Sequence, residues 1–297
     1  MTVKFNCPRC KELIAFADKH IGKRARCLTC GQILIIPSQD GQKPQKIETP
    51  VVKVPIPGFY RAVLLGSWKL FIDRESVTLL IFIAAAVCFK FFLARAICFI
   101  NYITFAVAWA LLLGFYLNII HESALGADKL PEIYLGTPLT FFWYLVQPFL
   151  LFFFTIAVVQ LPFIIALTLL QDKGITTENM WALELGPRLF LQVPFILGLF
   201  VFPMAILHLA VGQDITLLRP DHLFKPILKA PVAYLLAVAL LVGFGVLCTL
   251  SSGYDAELPR SEIAARLALN LLAQVVAIIA MRAIGLFYRH YQCHFPW

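Results

Sequence analysis

The sequence predicts a mostly α-helical protein, in which a six-span transmembrane helical bundle is preceded by a small all-β domain. Of the 297 residues, 60% are hydrophobic and only 14% are charged, and the mean hydropathy is +0.82. Soluble domains are about 45–50% apolar and about 25% charged. The apolar residues also form runs long enough to cross a bilayer. Two Cys-x-x-Cys pairs near the amino terminus indicate the small domain, and the composition excludes a disordered chain.

The small domain is predicted to occupy residues 1–37. It contains four short strand-like runs, separated by turn-forming segments that hold the cysteines, at residues 3–6, 13–17, 23–26 and 32–36. A chain of fewer than about 40 residues rarely stands on a hydrophobic core alone and usually needs a metal ion or disulfides. Paired cysteines upstream of a membrane region favour a metal over a disulfide framework.

Four cysteines of this domain are predicted to bind Zn²⁺ as a zinc ribbon. Cys7 and Cys10 form one Cys-x-x-Cys pair, and Cys27 and Cys30 form the second after 16 intervening residues. Each pair supplies two thiolates to one side of a tetrahedral ion. Four sulfur ligands select zinc, with iron as the next alternative. Because four thiolates leave no open coordination position, the zinc would be structural.

Residues 4–37 resemble the zinc-ribbon heads of many bacterial proteins. This resemblance implies a four-stranded ribbon with zinc on the same four cysteines. The remainder resembles bacterial membrane proteins that join such a ribbon to a multi-span domain, and the matching segments are residues 201–212, the Pro-Tyr start of the fifth span (231–234) and residues 282–291. The resemblance implies a bacterial inner-membrane location and zinc, but no particular activity.

Residues 38–57 are predicted to form a proline-rich linker, since they hold four prolines and no apolar periodicity. Residues 58–75 mix apolar and charged side chains and include Tyr60 and Trp68, aromatic residues that suit a membrane interface. We predict an interfacial amphipathic helix there. The alternative is a cytoplasmic extension of the first span.

The membrane domain is predicted to occupy residues 76–297. Its six apolar runs are residues 76–93, 97–120, 139–170, 188–211, 231–250 and 263–288. The third run is longer than one bilayer crossing requires and contains Pro148 and Pro162, so we expect a single tilted or kinked span.

Six spans place both termini on one side of the membrane. With that side inside, 19 basic residues lie on inner segments and six lie outside. If the ten basic residues up to Lys53 are left out, nine remain inside against six. The excess of Lys and Arg predicts that both termini are cytoplasmic.

A polar stripe runs along the sixth span, where Glu262, Arg266, Asn270 and Gln274 recur every four residues. On an α-helix this spacing places them on one broad face. Amides within a bilayer generally hydrogen-bond a neighbouring helix. The alternative is a polar pathway for a small solute or ion, lined by Arg266, Asn270 and Gln274.

No catalytic activity is predicted. The sequence has no P-loop, no Gly-x-Ser-x-Gly elbow, and no second histidine to complete a zinc-protease motif at His121-Glu122. We therefore expect a scaffold that recruits a protein partner through the ribbon and contacts membrane lipid. The alternative is a transporter or channel regulated by the ribbon. Nucleic acid is disfavoured as a partner, because the ribbon has only two aromatic residues, Phe5 and Phe16.

Overall fold

A computed structural model of the protein forms two compact units, Met1–Val54 and Pro55–Trp297. The unit boundary lies three residues before the predicted end of the linker, because Ile56 is hydrogen-bonded within the second unit. The residues that the structure describes are 2–7, 13–17, 21, 24–27, 33–37, 54–93, 99–131, 138–171, 185–212, 218–251, 253–255 and 257–295.

The first unit contains two antiparallel hairpins. Strand β1 (Thr2–Asn6) pairs with β2 (Leu13–Ala17), and β3 (Arg24–Arg26) pairs with β4 (Ile33–Ile35). All four lie within one residue of the predicted strands. Alternate residues of a strand face the same side, so Val3, Phe5 and Cys7 point together into one cluster. Leu34, Ile36 and Cys27 complete this cluster.

The second unit is helical. Its described residues form the α-helices α1 (Phe59–Leu64), α2 (Lys69–Ile72), α3 (Arg74–Leu93), α4 (Phe99–Leu125), α5 (Pro138–Val159), α6 (Leu161–Gln171), α7 (Leu185–Leu207), α8 (Pro220–Lys229), α9 (Pro231–Leu250) and α10 (Arg260–Tyr291). Short 3-10 turns cover Gly66–Trp68 and Gln292–His294, and a π-helical turn covers His208–Gly212.

Several of these helices are long and apolar enough to cross a membrane. In the described part of the chain, four single segments qualify: Ala106–Leu125, Leu185–Gly212, Pro231–Leu250 and Arg260–His294. Two further helix pairs qualify only if each pair is counted as one span. The helices of the first pair meet at 93°, and those of the second pair meet at 62°. The mostly α-helical fold and several candidate membrane spans are therefore confirmed, with a number between four and six.

The third predicted span differs from a single kinked helix. It divides at Gln160 into α5 and α6, which lie at 62° to each other. Pro162, in the first turn of α6, has no N–H to donate to the carbonyl of residue 158, and its ring is compatible with a helix start. This accounts for a break two residues before the proline.

The segment predicted as one interfacial helix over residues 58–75 consists of α1, a 3-10 turn and α2. The backbone becomes extended at Asp73 (φ −66°, ψ 126°), and the chain then turns by 93° into the helix that follows. A further short helix, α8, lies between the fourth and fifth predicted spans. Its start follows from Pro220 at the first helical position and Asp221 in the first turn.

Helix α10 lies at the centre of the unit and contacts α1, α3, α4, α7 and α9. Small residues permit the close approach of α4. A Cβ atom added at Gly285 would lie 2.5 Å from the carbonyl oxygen of Ile120 and 2.7 Å from the Cβ of Ser123. The backbones of α4 and α10 therefore meet with no room for a side chain at residue 285, as in other membrane helix pairs with small interfacial residues.

The helical unit begins and ends at the same place. The N–H of Ile56 donates to the carbonyl of His290 over 2.8 Å, and the His290 ring contacts the carbonyl of Ile56 over 2.8 Å. We call this the His290 end. At the opposite end, the N–H of Tyr254 donates to the carbonyl of Phe91 over 3.1 Å. An even number of crossings between Ile56 and His290 agrees with this arrangement.

Candidate functional site

The two predicted cysteine pairs hold equivalent positions in the two hairpins. Strand β1 ends at Asn6 and β2 begins at Leu13, so residues 7–12 connect them. Strand β3 ends at Arg26 and β4 begins at Ile33, so residues 27–32 connect those strands. In each six-residue connection, a cysteine is the first and the fourth residue. The hairpins thus present the same Cys-x-x-Cys arrangement twice.

The first cysteine of each pair lies inside the unit. Cys7 and Cys27 are each 1% exposed and belong to one cluster with Val3, Phe5 and Leu34. Cys10 and Cys30 lie outside the described residues. Among the residues that are described, no group of three or more His, Cys, Asp or Glu side chains is arranged to hold a metal ion. The zinc centre remains a prediction that rests on Cys7, Cys10, Cys27 and Cys30.

The predicted polar stripe of α10 divides into a buried part and an exposed part. Asn270 is 5% exposed. Its Nδ2 donates to the carbonyl of Ser251 over 2.5 Å and to the carbonyl of Arg266 over 3.1 Å. Because Ser251 caps the carboxyl end of α9, Asn270 satisfies a carbonyl that the helix itself leaves open.

Gln274, one turn further along, is also 5% exposed and faces α4. Its side-chain oxygen accepts a hydrogen bond from the hydroxyl of Tyr116. The two buried amides of the stripe therefore bind two different neighbouring helices. This is the arrangement expected of polar side chains that join membrane helices.

Arg266 is not part of this buried pair. Its Nη2 lies 2.7 Å from the Oε1 of Glu262, and both side chains are partly exposed, at 25% and 45%. An ion pair of this kind, four residues apart on a helix, contributes little to stability. The structure thus groups Asn270 and Gln274 as packing contacts and places Arg266 at the edge of the bundle.

Two other amides that could have accompanied the stripe lie elsewhere. Gln147 is exposed on α5. Gln160 occupies the break between α5 and α6, where its Nε2 donates to the carbonyl of Phe195 over 3.3 Å. It packs against Gly198, where an added Cβ would lie 2.7 Å from the Gln160 side chain. Gln160 therefore joins the bend to α7.

His208 is fully buried at the start of the π-helical turn, and its Nδ1 lies 2.8 Å from the carbonyl of Met204. On α4, the ring of His121 contacts the carbonyl of Ala210 over 2.9 Å. In the tautomer that carries the proton on Nδ1, His121 would donate to the Ala210 carbonyl and join α4 to the π-helical turn.

A charged cluster lies at the His290 end, and the local sequence patterns did not predict it. Oδ1 of Asp128 accepts from Nη2 of Arg282 over 3.1 Å and from Nη1 of Arg289 over 3.3 Å. The Arg282 side chain is 5% exposed, whereas that of Asp128 is 66% exposed. The sequence offered one indication of this cluster: Arg282 lies alone inside an apolar run, and a charged residue in such a place requires a partner.

An aromatic contact also joins the first helix of the unit to the last. Phe59 on α1 is 2% exposed, and its ring lies edge-on to the rings of Phe287 and Tyr291 at centroid distances of 6.3 and 5.7 Å. Together with the Ile56–His290 hydrogen bonds, this fixes the amino-terminal segment of the unit on the carboxyl-terminal part of α10. Sequence patterns cannot show such a long-range pairing.

Comparison of the sequence and fold with protein-family models, with curated proteins and with solved structures finds no match. A function can therefore be inferred only from the residues themselves. The features that bear on it are the repeated cysteine arrangement of the first unit and the buried polar contacts of the second.

Proposed function

We propose that this chain is an integral membrane protein that carries a zinc ribbon on the cytoplasmic side and recruits a protein partner to the membrane. The zinc is structural, and the chain has no catalytic activity. The membrane is the bacterial inner membrane, with both termini in the cytoplasm. Recruitment would act by raising the local concentration of the partner near the membrane.

The repeated cysteine arrangement is the observation that carries this proposal. The first cysteine of each six-residue connection, Cys7 and Cys27, is buried in the same cluster, so both hairpins bring their cysteine-bearing ends together. Cys10 and Cys30 follow at the spacing that lets each pair face one ion. The unit has few apolar residues to bury, and a tetrahedral Zn²⁺ would supply the missing stability.

The contacts of α10 favour a scaffold over a transporter. Asn270 and Gln274 bond to α9 and α4, and both are 5% exposed. Side chains used in this way hold helices together and are not directed toward a solute. The bulk of the helical unit is then an anchor, and recognition belongs to the first unit.

The first experiment measures zinc in the full-length protein, purified in detergent under reducing conditions. We expect about one zinc per chain. Exchange of two ligands, Cys7→Ser with Cys10→Ser, should remove it. The matched control, Cys88→Ser on α3, should retain it. A wild-type protein without zinc would refute the proposed centre.

The second experiment tests recruitment. Full-length wild-type protein in nanodiscs is compared with the Cys7→Ser/Cys10→Ser variant for capture of cytoplasmic proteins, and captured proteins are identified by mass spectrometry. The expected result is a protein that binds the wild type and the Cys88→Ser control but not the double variant. Equal capture by all three proteins would contradict recruitment through the ribbon.

A further inference from the structure

The segment that contains α1 and α2 leaves a large apolar face uncovered. Phe59, Val63 and Leu70 are buried against the bundle. On the outer side, Leu65, Trp68 and Ile72 are 64%, 52% and 79% exposed. Arg61 and Lys69 are exposed on the same segment. A short helical segment that presents both apolar and basic side chains outward is typical of an interfacial membrane contact.

Helix α8 likewise has one side buried against the bundle and one side exposed. Leu223 and Ile227 face the bundle, whereas Leu228 is 76% exposed and Phe224 is 36% exposed. Lys225 and Lys229 are exposed, and they lie one residue after Phe224 and Leu228 along the helix. The outward surface of α8 therefore carries an apolar edge beside a basic edge.

Both segments lie at the His290 end. Helix α1 packs on α10 through Phe59, Phe287 and Tyr291. Helix α8 contacts the turn Gln292–His294 that follows α10. We call the exposed faces of residues 60–72 and of α8 the collar.

Charge distinguishes the collar from the segment between α9 and α10 at the opposite end of the unit. Residues 60–72 carry two basic and no acidic residues, and α8 carries Lys225 and Lys229 against Asp221. At that opposite end, where Tyr254 bonds to Phe91, residues 253–262 carry Asp255, Glu257 and Glu262 against Arg260. A surface that is both apolar and positive attracts anionic phospholipid, since each Lys or Arg near such a surface contributes about 1 kcal/mol of attraction.

We propose that the collar binds the anionic phospholipid surface of one leaflet. Trp68, Leu65 and Leu228 enter the boundary between headgroups and acyl chains, and the basic side chains contact lipid phosphates. The inference rests on the membrane location in the proposed function but not on the zinc ribbon. The proposal therefore places the His290 end at the more anionic leaflet.

The test uses full-length protein in detergent with added phosphatidylglycerol or phosphatidylcholine at equal mole fraction. Preferential binding to the folded state raises the melting midpoint. We expect phosphatidylglycerol to raise it by about 4 °C more than phosphatidylcholine, and we expect this difference to shrink at high salt. The variants Arg61→Gln/Lys69→Gln and Lys225→Gln/Lys229→Gln should each lose about half of the difference.

The matched control removes two exposed positive charges from helix starts at the other end, Arg188→Gln/Arg260→Gln. It should keep the full difference between the two lipids, as should the charge-preserving variant Lys225→Arg/Lys229→Arg. Equal effects of the two lipids on the wild type, or equal losses in the collar and control variants, would overturn the proposal.

A second measurement does not depend on stability. Tryptophan fluorescence is recorded in nanodiscs that contain brominated phosphatidylglycerol or brominated phosphatidylcholine. The difference between wild type and Trp68→Phe reports quenching at Trp68, which should be stronger with the anionic lipid. No quenching at Trp68 by either lipid would also overturn the proposal. A Cys7→Ser/Cys10→Ser protein should behave as wild type in both measurements, so a failure of the zinc prediction remains distinguishable.

Discussion

The hydroxyl of Tyr116 on α4 donates a hydrogen bond to the side-chain oxygen of Gln274 on α10, and both side chains are buried. The two residues are 158 positions apart in the chain. Leu112 on α4 and Ile278 on α10 are buried in the same apolar core. The polar pair therefore fixes how the two helices align, while apolar packing holds them together.

Removal of this hydroxyl should weaken the bundle. Tyr116→Phe leaves the Gln274 oxygen buried without its donor, and we expect a loss of about 1 kcal/mol in the free energy of unfolding. Gln274→Leu should cost a similar amount. The double variant should cost less than the sum of the two, because neither partner is then left unsatisfied. Denaturation in mixed micelles measures all three, and Tyr60→Phe, at an exposed tyrosine, serves as the control.

The close approach at Gly285 predicts a steric effect. In Gly285→Ala, the new methyl group would meet the backbone of Ile120, which cannot move as a side chain end would. We expect a destabilisation of about 1–3 kcal/mol. Gly245→Ala on α9 is the matched control, because nothing lies within 4 Å of its added Cβ. A Gly285→Ala protein as stable as the control would show that α4 and α10 are further apart.

The charged cluster at the His290 end should be sensitive to loss of its acid. Asp128→Asn removes the carboxylate shared by Arg282 and Arg289, and the Arg282 side chain is 5% exposed. We expect a loss of about 1 kcal/mol, since the amide oxygen of Asn can still accept from Arg282 but no longer carries the charge that strengthens this hydrogen bond. Glu262→Gln breaks an exposed pair on the same helix and should cost less than about 0.5 kcal/mol. Thermal unfolding of the three proteins compares these effects.

Zinc removal should affect only the first unit. The two units have separate hydrophobic cores, one around Phe5 and Leu34 and the other along α10. A strong chelator should therefore make residues 1–37 sensitive to protease, because the metal would supply much of their folding free energy. Helical circular dichroism and the melting midpoint of the second unit should stay unchanged. Protection of the first unit in the presence of chelator would count against a structural zinc.

The pairing of Ile56 with His290 predicts a topology. Since the helical unit begins and ends at the same place, a reporter fused to either terminus should lie on the same side of the membrane. From the excess of Lys and Arg, we expect that side to be the cytoplasm. Fusions to alkaline phosphatase, which requires export, should be inactive, and fusions to a fluorescent protein should be bright. Opposite results at the two termini would require an odd number of crossings.

Local patterns predicted much of the secondary structure. The fifth span was predicted at residues 231–250 and α9 is Pro231–Leu250, because Pro231 starts the helix and apolar residues continue to its end. The strands of the first unit follow from turn-forming segments and the short strand-like runs between them. The break at Gln160 was predicted only as a kink, since Pro162 shows where a helix is weakened but not how far it bends.

The spacing of the polar stripe predicted the positions of its residues on the helix but not their partners. Its spacing correctly placed Asn270 and Gln274 on related faces of one helix, and burial in an apolar span required that they find partners. The pattern could not separate them from Arg266, because Arg266 lies nearer the helix start and pairs with Glu262 along its own helix. Neither Ser251 nor Tyr116 was named as a partner.

Residue type and near spacing were enough to predict an apolar helical chain, the repeated cysteine pairs, and the excess of positive charge near the predicted inner segments. Which distant groups meet is visible only in the folded protein, as for Tyr116 with Gln274, Asp128 with Arg282, and Ile56 with His290. The physical reason is that periodicity sets the direction of a side chain on its own helix. The partner that it meets depends on how helices far apart in the chain pack together, and a steric detail such as the missing side chain of Gly285 sets that packing.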